Sequence, residues 1–275
     1  MPADLHVHTT ASDGTEEPAS VVKKAKEIGL QAIAITDHDT VNGVPPALAA
    51  GKELNLEVVP GVELSTESER GEFHLLGYFI DFCSPELNAR LEHIRNHRVE
   101  RALKMVCKLR EMGVAISPEQ VLSEAGRAAP GRPHIARVLV REGFAGTLGE
   151  AFSRFLSRNS PAYVPRFKYS PLEAVQLIAR SKGVPVLAHP GLVTGWDRLL
   201  WALIEAGLKG VEVYYPAHTP EQVEYFLELC RKYRLIPTGG SDYHGQNQKN
   251  NCFLAAATVS YSSVQLLKEA SGGCL

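Results

Sequence analysis

The chain has 275 residues, a formal net charge of −2 at pH 7 and a hydrophobic fraction of 44%. This length suits one barrel with an inserted subdomain, or two domains, and the hydrophobic fraction supports a buried core. The charge balance does not demand a nucleic-acid partner, although it leaves room for a local basic groove.

Neither the cysteines nor the apolar runs indicate a secreted or membrane protein. The five cysteines are scattered without a CxxC pair, so no disulfide framework is predicted. The first residues, MPADLHVH, lack the basic and apolar regions of a signal peptide. No apolar run approaches the ~20 residues of a membrane helix. We therefore expect a cytoplasmic protein with no membrane partner, and the sequence indicates no obligate protein partner.

Short apolar strands alternate with helical patterns at the start of the chain. Helices are predicted over residues 18–28 and 45–54, and strands at ADLHVH, LQAIAIT, LEVVPGVE and EFHLLGYFI. Strands separated by helices are typical of parallel βα units.

This alternation stops after the fourth strand. Ser84 and Pro85 resemble a helix start, and apolar spacing predicts a long amphipathic helix that continues to Met112. Helical patterns continue to about residue 158, with a capping box at Thr147 and Glu150. We predict an all-helical insertion over residues 84–166, within a barrel domain made of residues 1–83 and 167–275.

The βα rhythm then resumes. Ser170 and Glu173 form a second capping box, and another helix begins at Thr219. Strands are predicted at VPVLAH, GVEVYY and LIPTGGSDYH.

Nearly every predicted strand brings a histidine or an acid to its C-terminal end, where barrel enzymes place their chemistry. In a strand, residues two apart point to the same side, so His6 and His8 aim two imidazoles at one point. The candidate metal ligands are His6, His8, Asp13, His38, Glu63, His74, His189, Asp242 and His244.

Each of these residues also has a purely structural interpretation, such as a turn aspartate or a buried histidine bonded to backbone. We favour a shared site because unrelated residues would not fall at strand ends in series. Nine nitrogen and oxygen donors exceed the three or four of a single catalytic zinc, so two or three divalent cations are predicted. Imidazole and carboxylate donors favour manganese, with zinc or iron as alternatives.

Six segments together resemble the motifs of the PHP (polymerase and histidinol phosphatase) family: DLHVHTTASDGT, ITDHDT, PGVELS, FHLLGY, LAHPG and GGSDYH. The insertion after FHLLGY, with GRPHIARVLV inside it, is similar to the TrpH-like branch, which includes ribonuclease AM and a 3′,5′-nucleotide bisphosphate phosphatase. The resemblance covers nearly the whole chain. It implies an α/β fold, a distorted (β/α)7 TIM-like barrel with a trinuclear metal centre.

The resemblance also implies how the ligands divide among three metals. The first metal would take His6, His8, Glu63 and Asp242. The second would share Glu63 and add His74 and His189. The third would take Asp13, His38 and His244. The residues of the first two metals would hold a hydroxide as the nucleophile.

Substrate-binding groups are expected from the insertion, which we predict to form a lid. Arg132 and His134 precede a helix whose first N–H groups would favour an anion, although Arg132 could equally pair with a neighbouring helix. His218 could bind phosphate or protonate the leaving group, or could be a turn histidine. Basic and aromatic residues in RNSPAYVPRFKYSP suit a nucleotide or short single strand, or an ordinary linker.

The predicted activity is metal-dependent hydrolysis of nucleotide phosphate esters. The substrates would be 3′,5′-bisphosphates, the 5′ ends of short phosphorylated RNA or DNA, or both. Alternatives are an amidohydrolase acting on C–N bonds, a phosphatase of the histidinol-phosphate type and a non-catalytic module. The amidohydrolase would not need an arginine-rich rim, and the module should lack ligands.

Overall fold

The computed structural model describes residues 2–68, 71–126, 128–165, 169–245 and 253–272. The chain divides into two compact units. The first consists of Met1–Ala89 and Lys168–Leu275, and the second of Arg90–Phe167. Arg166 and Lys168, two of the basic residues in the RNSPAYVPRFKYSP segment, lie outside the described residues.

The first unit is built around one mixed sheet. Its strands within the described ranges are β1 Pro2–Asp4, β2 Ala32–Ile35, β3 Glu57–Ser68, β4 Gly71–Tyr78, β5 Val184–Leu187, β6 Gly210–Tyr214, β7 Ile236–Gly239 and β8 Val259–Ser260. Their order in the sheet is β7-β6-β5-β4-β3-β2-β1-β8. β1, β2 and β3 are parallel, as are β5, β6 and β7, whereas β4 is antiparallel to both its neighbours.

The sheet closes into a barrel just beyond the ends of β1 and β7. The Leu5 amide donates to the Gly239 carbonyl at 3.1 Å, and Val7 forms a parallel bridge with Tyr243. The short β8 pairs antiparallel with the start of β1. The distorted (β/α)7 TIM-like barrel is confirmed. The distortion comes from β4, because two residues between β3 and β4 are too few for the crossover that a parallel pair needs.

Within the described residues, α-helices follow the barrel strands along the chain or belong to the insertion. They are α1 Pro18–Glu27, α2 Val44–Leu54, α3 Pro85–Glu111, α4 Pro118–Ala125, α5 Arg132–Arg141, α6 Leu148–Ala151, α7 Pro171–Arg180, α8 Asp197–Glu205, α9 Pro220–Tyr233 and α10 Tyr261–Ala270. None of them is long and apolar enough to cross a bilayer, as far as the described residues extend.

The two predicted capping boxes differ in the structure. At α7, Ser170 and Glu173 exchange both side-chain-to-backbone bonds. At α6, the Thr147 hydroxyl accepts from the Glu150 amide, but the Glu150 carboxylate accepts from the Gly146 amide instead of the Thr147 amide. The motif therefore marked both helix starts, but the reciprocal bond formed only at α7.

The second unit has a core of its own. Apolar side chains of α3, α4 and α5 pack with the segment after α6, among them Met105, Val121, Leu139 and Leu156, which are almost fully buried. The first unit has separate apolar clusters, one of which includes the fully buried Leu5, Val59, Leu76 and Val186 of the barrel strands and their extensions. The insertion is thus a packed helical unit and not a loop.

Candidate metal centre

All nine predicted ligands lie in the first unit, and the barrel brings them together. His6 and His8 follow β1, and His38 follows β2 and bridges to Glu63 within β3. His189 follows β5, while Asp242 and His244 follow β7. His74 differs, because it lies inside the reversed strand β4.

One group of ligand atoms consists of His6, His8, Glu63 and Asp242, all within 4.8 Å of one another. The His8 Nε2 atom lies 3.2 Å from Glu63 Oε2 and 3.1 Å from Asp242 Oδ1. The His6 Nε2 atom lies 3.3 Å and 3.4 Å from the same two oxygens. These four residues match the set that the resemblance implies for the first metal.

The other oxygen of Glu63 faces a second pair of histidines. Glu63 Oε1 lies 2.8 Å from His74 Nδ1 and 3.2 Å from His189 Nε2. His38 Nδ1 is 3.0 Å from Glu63 Oε2, and His38, Glu63 and His74 form a group within 4.8 Å. Glu63 therefore stands at the centre of the cluster, with five imidazoles around one carboxylate.

A third group combines His8, Asp13, His38 and His244, again within 4.8 Å. His244 Nε2 lies 3.3 Å from Asp13 Oδ1. The groups overlap, since His8 belongs to the first and third and His38 to the second and third.

The chemistry of the donor set fits divalent cations. Seven of its buried atoms have no hydrogen-bond partner among the described residues: His6 Nε2, His8 Nδ1, His8 Nε2, Asp13 Oδ1, His38 Nδ1, Glu63 Oε2 and His189 Nδ1. Leaving polar atoms buried and unpaired is costly, and in native proteins each case calls for an explanation. Cations held between imidazole and carboxylate atoms would satisfy most of these atoms at once.

Without metal, the cluster is an array of opposite charges. Burial disfavours charge on His8, but the neighbouring carboxylates of Asp242 and Glu63 prevail and raise its pKa to about 10. Burial likewise disfavours charge on His74, yet Glu63 and Glu72 raise its pKa to about 9. Burial would raise the pKa of Glu63, but the surrounding imidazoles hold it well below its usual range. Protons therefore occupy positions that cations would take.

Buried acids that the sequence analysis did not single out support the ligands. Asp37 accepts hydrogen bonds from the Thr9 amide at 2.7 Å and the Ser12 hydroxyl at 2.6 Å, which fixes the loop that carries Asp13. Asp4 accepts from the Ser241 amide and hydroxyl at 2.9 and 2.6 Å. Burial raises the pKa of Asp4 to about 6, against the effect of these bonds.

Glu212 in β6 is fully buried and touches two ligands. It contacts the His6 ring at 2.9 Å and accepts from the His189 amide at 2.8 Å. The signal that could have revealed it is a carboxylate between apolar residues in GVEVYY, since an acid in a buried strand needs partners.

Gly240 brings the end of β7 against the backbone of His6. A Cβ at this position would lie 2.3 Å from His6 N and 2.4 Å from His6 Cβ, both too close to accommodate. We expect Gly240→Ala to lower the free energy of unfolding of the metal-free protein by about 1–3 kcal/mol and to weaken metal binding. Urea unfolding and Mn²⁺ titration measure the two effects.

Gly146→Ala provides the control for that change. The nearest atom to an added Cβ there is the movable Glu150 Oε2, at 3.3 Å. Equal effects of the two substitutions would contradict the proposed close approach at His6.

The three predicted substrate-binding residues are divided between the two units. Arg132 and His134 belong to the second unit, at the start of α5, where His134 Nδ1 accepts from the Gly131 amide at 3.0 Å. His218 belongs to the first unit. Its Nδ1 donates to the Val213 carbonyl at 2.8 Å, and its Nε2 accepts from the Gly191 amide at 3.2 Å. A role of His218 on substrate would require it to leave these bonds, and all three roles stay predictions.

Comparison with known proteins identifies related chains. The PHP domain family model matches residues 4–127. A phosphoribosyl 1,2-cyclic phosphate 1,2-diphosphodiesterase of Eggerthella lenta is 35% identical, over 90% of this chain and 95% of its own. The 5′-3′ exoribonuclease Rnm of Escherichia coli is 35% identical, over 88% and 84%. A 3′,5′-nucleoside bisphosphate phosphatase of Chromobacterium violaceum is 31% identical, over 89% and 88%.

Two solved structures are also similar to this chain over most of its length. A metal-dependent phosphoesterase from Bifidobacterium adolescentis superposes with a TM-score of 0.90 at 32% identity, covering 98% of this chain and 96% of its own. A Chromobacterium violaceum structure, described as an amidohydrolase with bound sulfate and no metal, has a TM-score of 0.83 at 31% identity, covering 89% and 88%.

Proposed function

Because this chain belongs to the PHP family of metal-dependent phosphoesterases, we propose that it hydrolyses phosphate esters of nucleotides. The observation that carries the proposal is the convergence of nine imidazole and carboxylate side chains around Glu63 in one barrel. A C–N hydrolase could use a similar metal centre, but the three relatives are named for phosphate-ester or RNA hydrolysis.

The substrate class that we propose is a phosphate ester on ribose. A 3′,5′-bisphosphate and the 5′ end of a short phosphorylated oligonucleotide both present a terminal phosphate beside a second phosphate. A cyclic phosphodiester of ribose is a second candidate, favoured by the relative from Eggerthella lenta.

We propose two or three divalent cations, with manganese first and zinc or iron as alternatives, because the donors combine imidazole nitrogen and carboxylate oxygen. When bound, such cations supply a nucleophile at neutral pH and neutralise charge on phosphoryl oxygens. Glu63, with one oxygen toward His74 and His189 and the other toward His6 and His8, would be a ligand shared by two of them.

A tyrosine orients the carboxylate of Asp242. The Tyr215 hydroxyl donates to Asp242 Oδ2 at 3.0 Å, so that Asp242 Oδ1 is left facing His8 at 3.1 Å. The ring of Tyr215 also packs near the His189 ring, with 5.4 Å between centroids. In this arrangement Tyr215 keeps one oxygen of Asp242 directed at the metal-binding atoms.

We also propose a cytoplasmic location. The free thiols of Cys83, Cys107 and Cys230 support it, because a reducing compartment keeps thiols unpaired.

The test of substrate class is a parallel assay of the purified protein with Mn²⁺. Adenosine 3′,5′-bisphosphate, a 5′-phosphorylated oligonucleotide and phosphoribosyl 1,2-cyclic phosphate are each offered, with an amide substrate as the fourth. Release of phosphate or nucleotide from either of the first two substrates, or opening of the cyclic phosphate to a ribose phosphate monoester, supports the proposal when the amide is not hydrolysed. Turnover of the amide alone would contradict it.

We expect Arg132→Ala to raise the KM for phosphate substrates by about 10-fold or more, because a charge-assisted hydrogen bond contributes about 1.5–3 kcal/mol. Arg141, at the other end of α5 and paired with Glu124, provides the control Arg141→Ala. Steady-state kinetics measures both. An unchanged KM for Arg132→Ala would remove Arg132 from the substrate site.

A further inference from the structure

Glu212 is bonded through both carboxylate oxygens, each to a different predicted ligand. Its Oε1 atom lies 2.9 Å from His6 Nδ1, and its Oε2 atom accepts from the His189 amide at 2.8 Å. Its side chain is fully buried within the barrel. A buried carboxylate is costly unless it is bonded, and these two donors satisfy it.

The first bond determines the tautomer of His6. A carboxylate only accepts, so the proton of the His6 ring must lie on Nδ1. In the neutral ring the lone pair is then on Nε2, the atom that lies 3.3 Å from Glu63 Oε2 and 3.4 Å from Asp242 Oδ1. With the proton on the other nitrogen, His6 would present a donor to the position that a metal needs.

The second bond holds a strained backbone. His189 has φ of 28° and ψ of 55°, near the left-handed region that non-glycine residues rarely occupy. Such a conformation persists only when the surrounding structure enforces it. The bond from the His189 amide to Glu212 does so, and it leaves His189 Nε2 3.2 Å from Glu63 Oε1.

We propose that Glu212 is a positioning residue that couples two metal positions, one through the ring of His6 and the other through the backbone of His189. This inference rests on the metal centre of the proposed function. Since His6 and His189 are both bonded to Glu212, a substitution of Glu212 should weaken metal binding at both positions. A residue that supported only one ligand would affect only the position of that ligand.

Glu212→Gln is the variant that tests the coupling. A glutamine has one acceptor oxygen, so it can satisfy His6 Nδ1–H or the His189 amide but not both. Thr238→Val is the matched control. Thr238 is buried and lies opposite Glu212 in the pairing of β6 with β7, and the substitution removes one buried hydroxyl next to Glu212. Chelator-treated proteins are titrated with Mn²⁺, and free Mn²⁺ is counted by electron paramagnetic resonance. Thermal unfolding of the metal-free proteins checks their folding.

We expect Glu212→Gln to raise the Kd of at least two Mn²⁺ ions by about 10–100-fold and Thr238→Val to change it less than about threefold, with both metal-free variants folded. Wild-type affinity in Glu212→Gln would overturn the inference, as would an equal loss in Thr238→Val. If the wild type bound no Mn²⁺, the proposed function would fail, and the inference with it.

A second measurement covers the case in which Glu212→Gln does not fold. In the Zn²⁺-loaded wild type, long-range ¹H–¹⁵N spectra should show the His6 proton on Nδ1. A proton on Nε2 would overturn the inference without any variant.

Discussion

Glu63→Gln is expected to reduce kcat by at least about a thousandfold on every phosphate substrate of the protein. One preorganised electrostatic group contributes ~10²–10³ in rate, and Glu63 faces both sides of the cluster with its two oxygens. Glutamine keeps the shape but replaces one oxygen by an NH₂ group, which cannot bind a cation. Steady-state kinetics with Mn²⁺ measures the loss.

Glu57→Gln is the control within the same strand. Glu57 also lies on β3 and accepts from the Tyr261 hydroxyl, but it belongs to none of the ligand groups. If the kcat of Glu63→Gln were within tenfold of the kcat of Glu57→Gln, Glu63 would not be a ligand of the catalytic ions.

The combined affinity for the first two metals is expected to rise by about a hundredfold per pH unit between pH 6.5 and 8.5, about tenfold for each ion. In the metal-free protein His8 and His74, with pKa values of about 10 and 9, carry protons over this range that must leave before a cation binds. Calorimetric titration in buffers of different ionisation enthalpy counts the protons released. His74→Gln should lower the slope by about one proton, whereas the exposed His93→Gln should leave it unchanged.

The stability of the metal-free protein should change in the opposite direction. The folded-state pKa values of His8 and His74 are raised above the ~6.5 of an unfolded histidine. Their contribution is therefore complete below pH ~6.5 and is lost as pH rises through 9 to 10. Excess Mn²⁺ should reverse the trend in urea unfolding between pH 6.5 and 8.5. The same trend with and without Mn²⁺ would contradict cation binding by these residues.

The sequence was most informative where chemistry and strand periodicity coincided. His6 and His8 two residues apart, and the acids and histidines at other strand ends, were sufficient to predict which side chains meet. The order of apolar strands and helices predicted parallel βα units, and the resemblance to the PHP family implied the distorted barrel. These features depend on local spacing along the chain. In a closed barrel the C-terminal ends of the strands meet at one rim, so side chains at those ends lie close together.

Other features depend on contacts between distant segments. Glu212 and Asp37 are single acids in apolar or turn sequence, and only the folded chain shows that they hold His6, His189 and the Asp13 loop. The short β8 and the helix α10 gave no recognised signal, since two residues of strand carry no periodicity. The reciprocal bond expected at Thr147 did not form because Glu150 found another amide donor.

The place where the barrel closes has a thermodynamic consequence. Leu5 and Val7 pair there with Gly239 and Tyr243. Leu5 and Val7 flank His6, and Tyr243 lies between Asp242 and His244. An ion held by His6 and His8 on one side and by Asp242 on the other would join the two chain segments that close the barrel, so its binding free energy would add to that of barrel closure. Metal binding and barrel closure would then be linked equilibria, in which the closed barrel binds ions more tightly and bound ions stabilise the closed barrel.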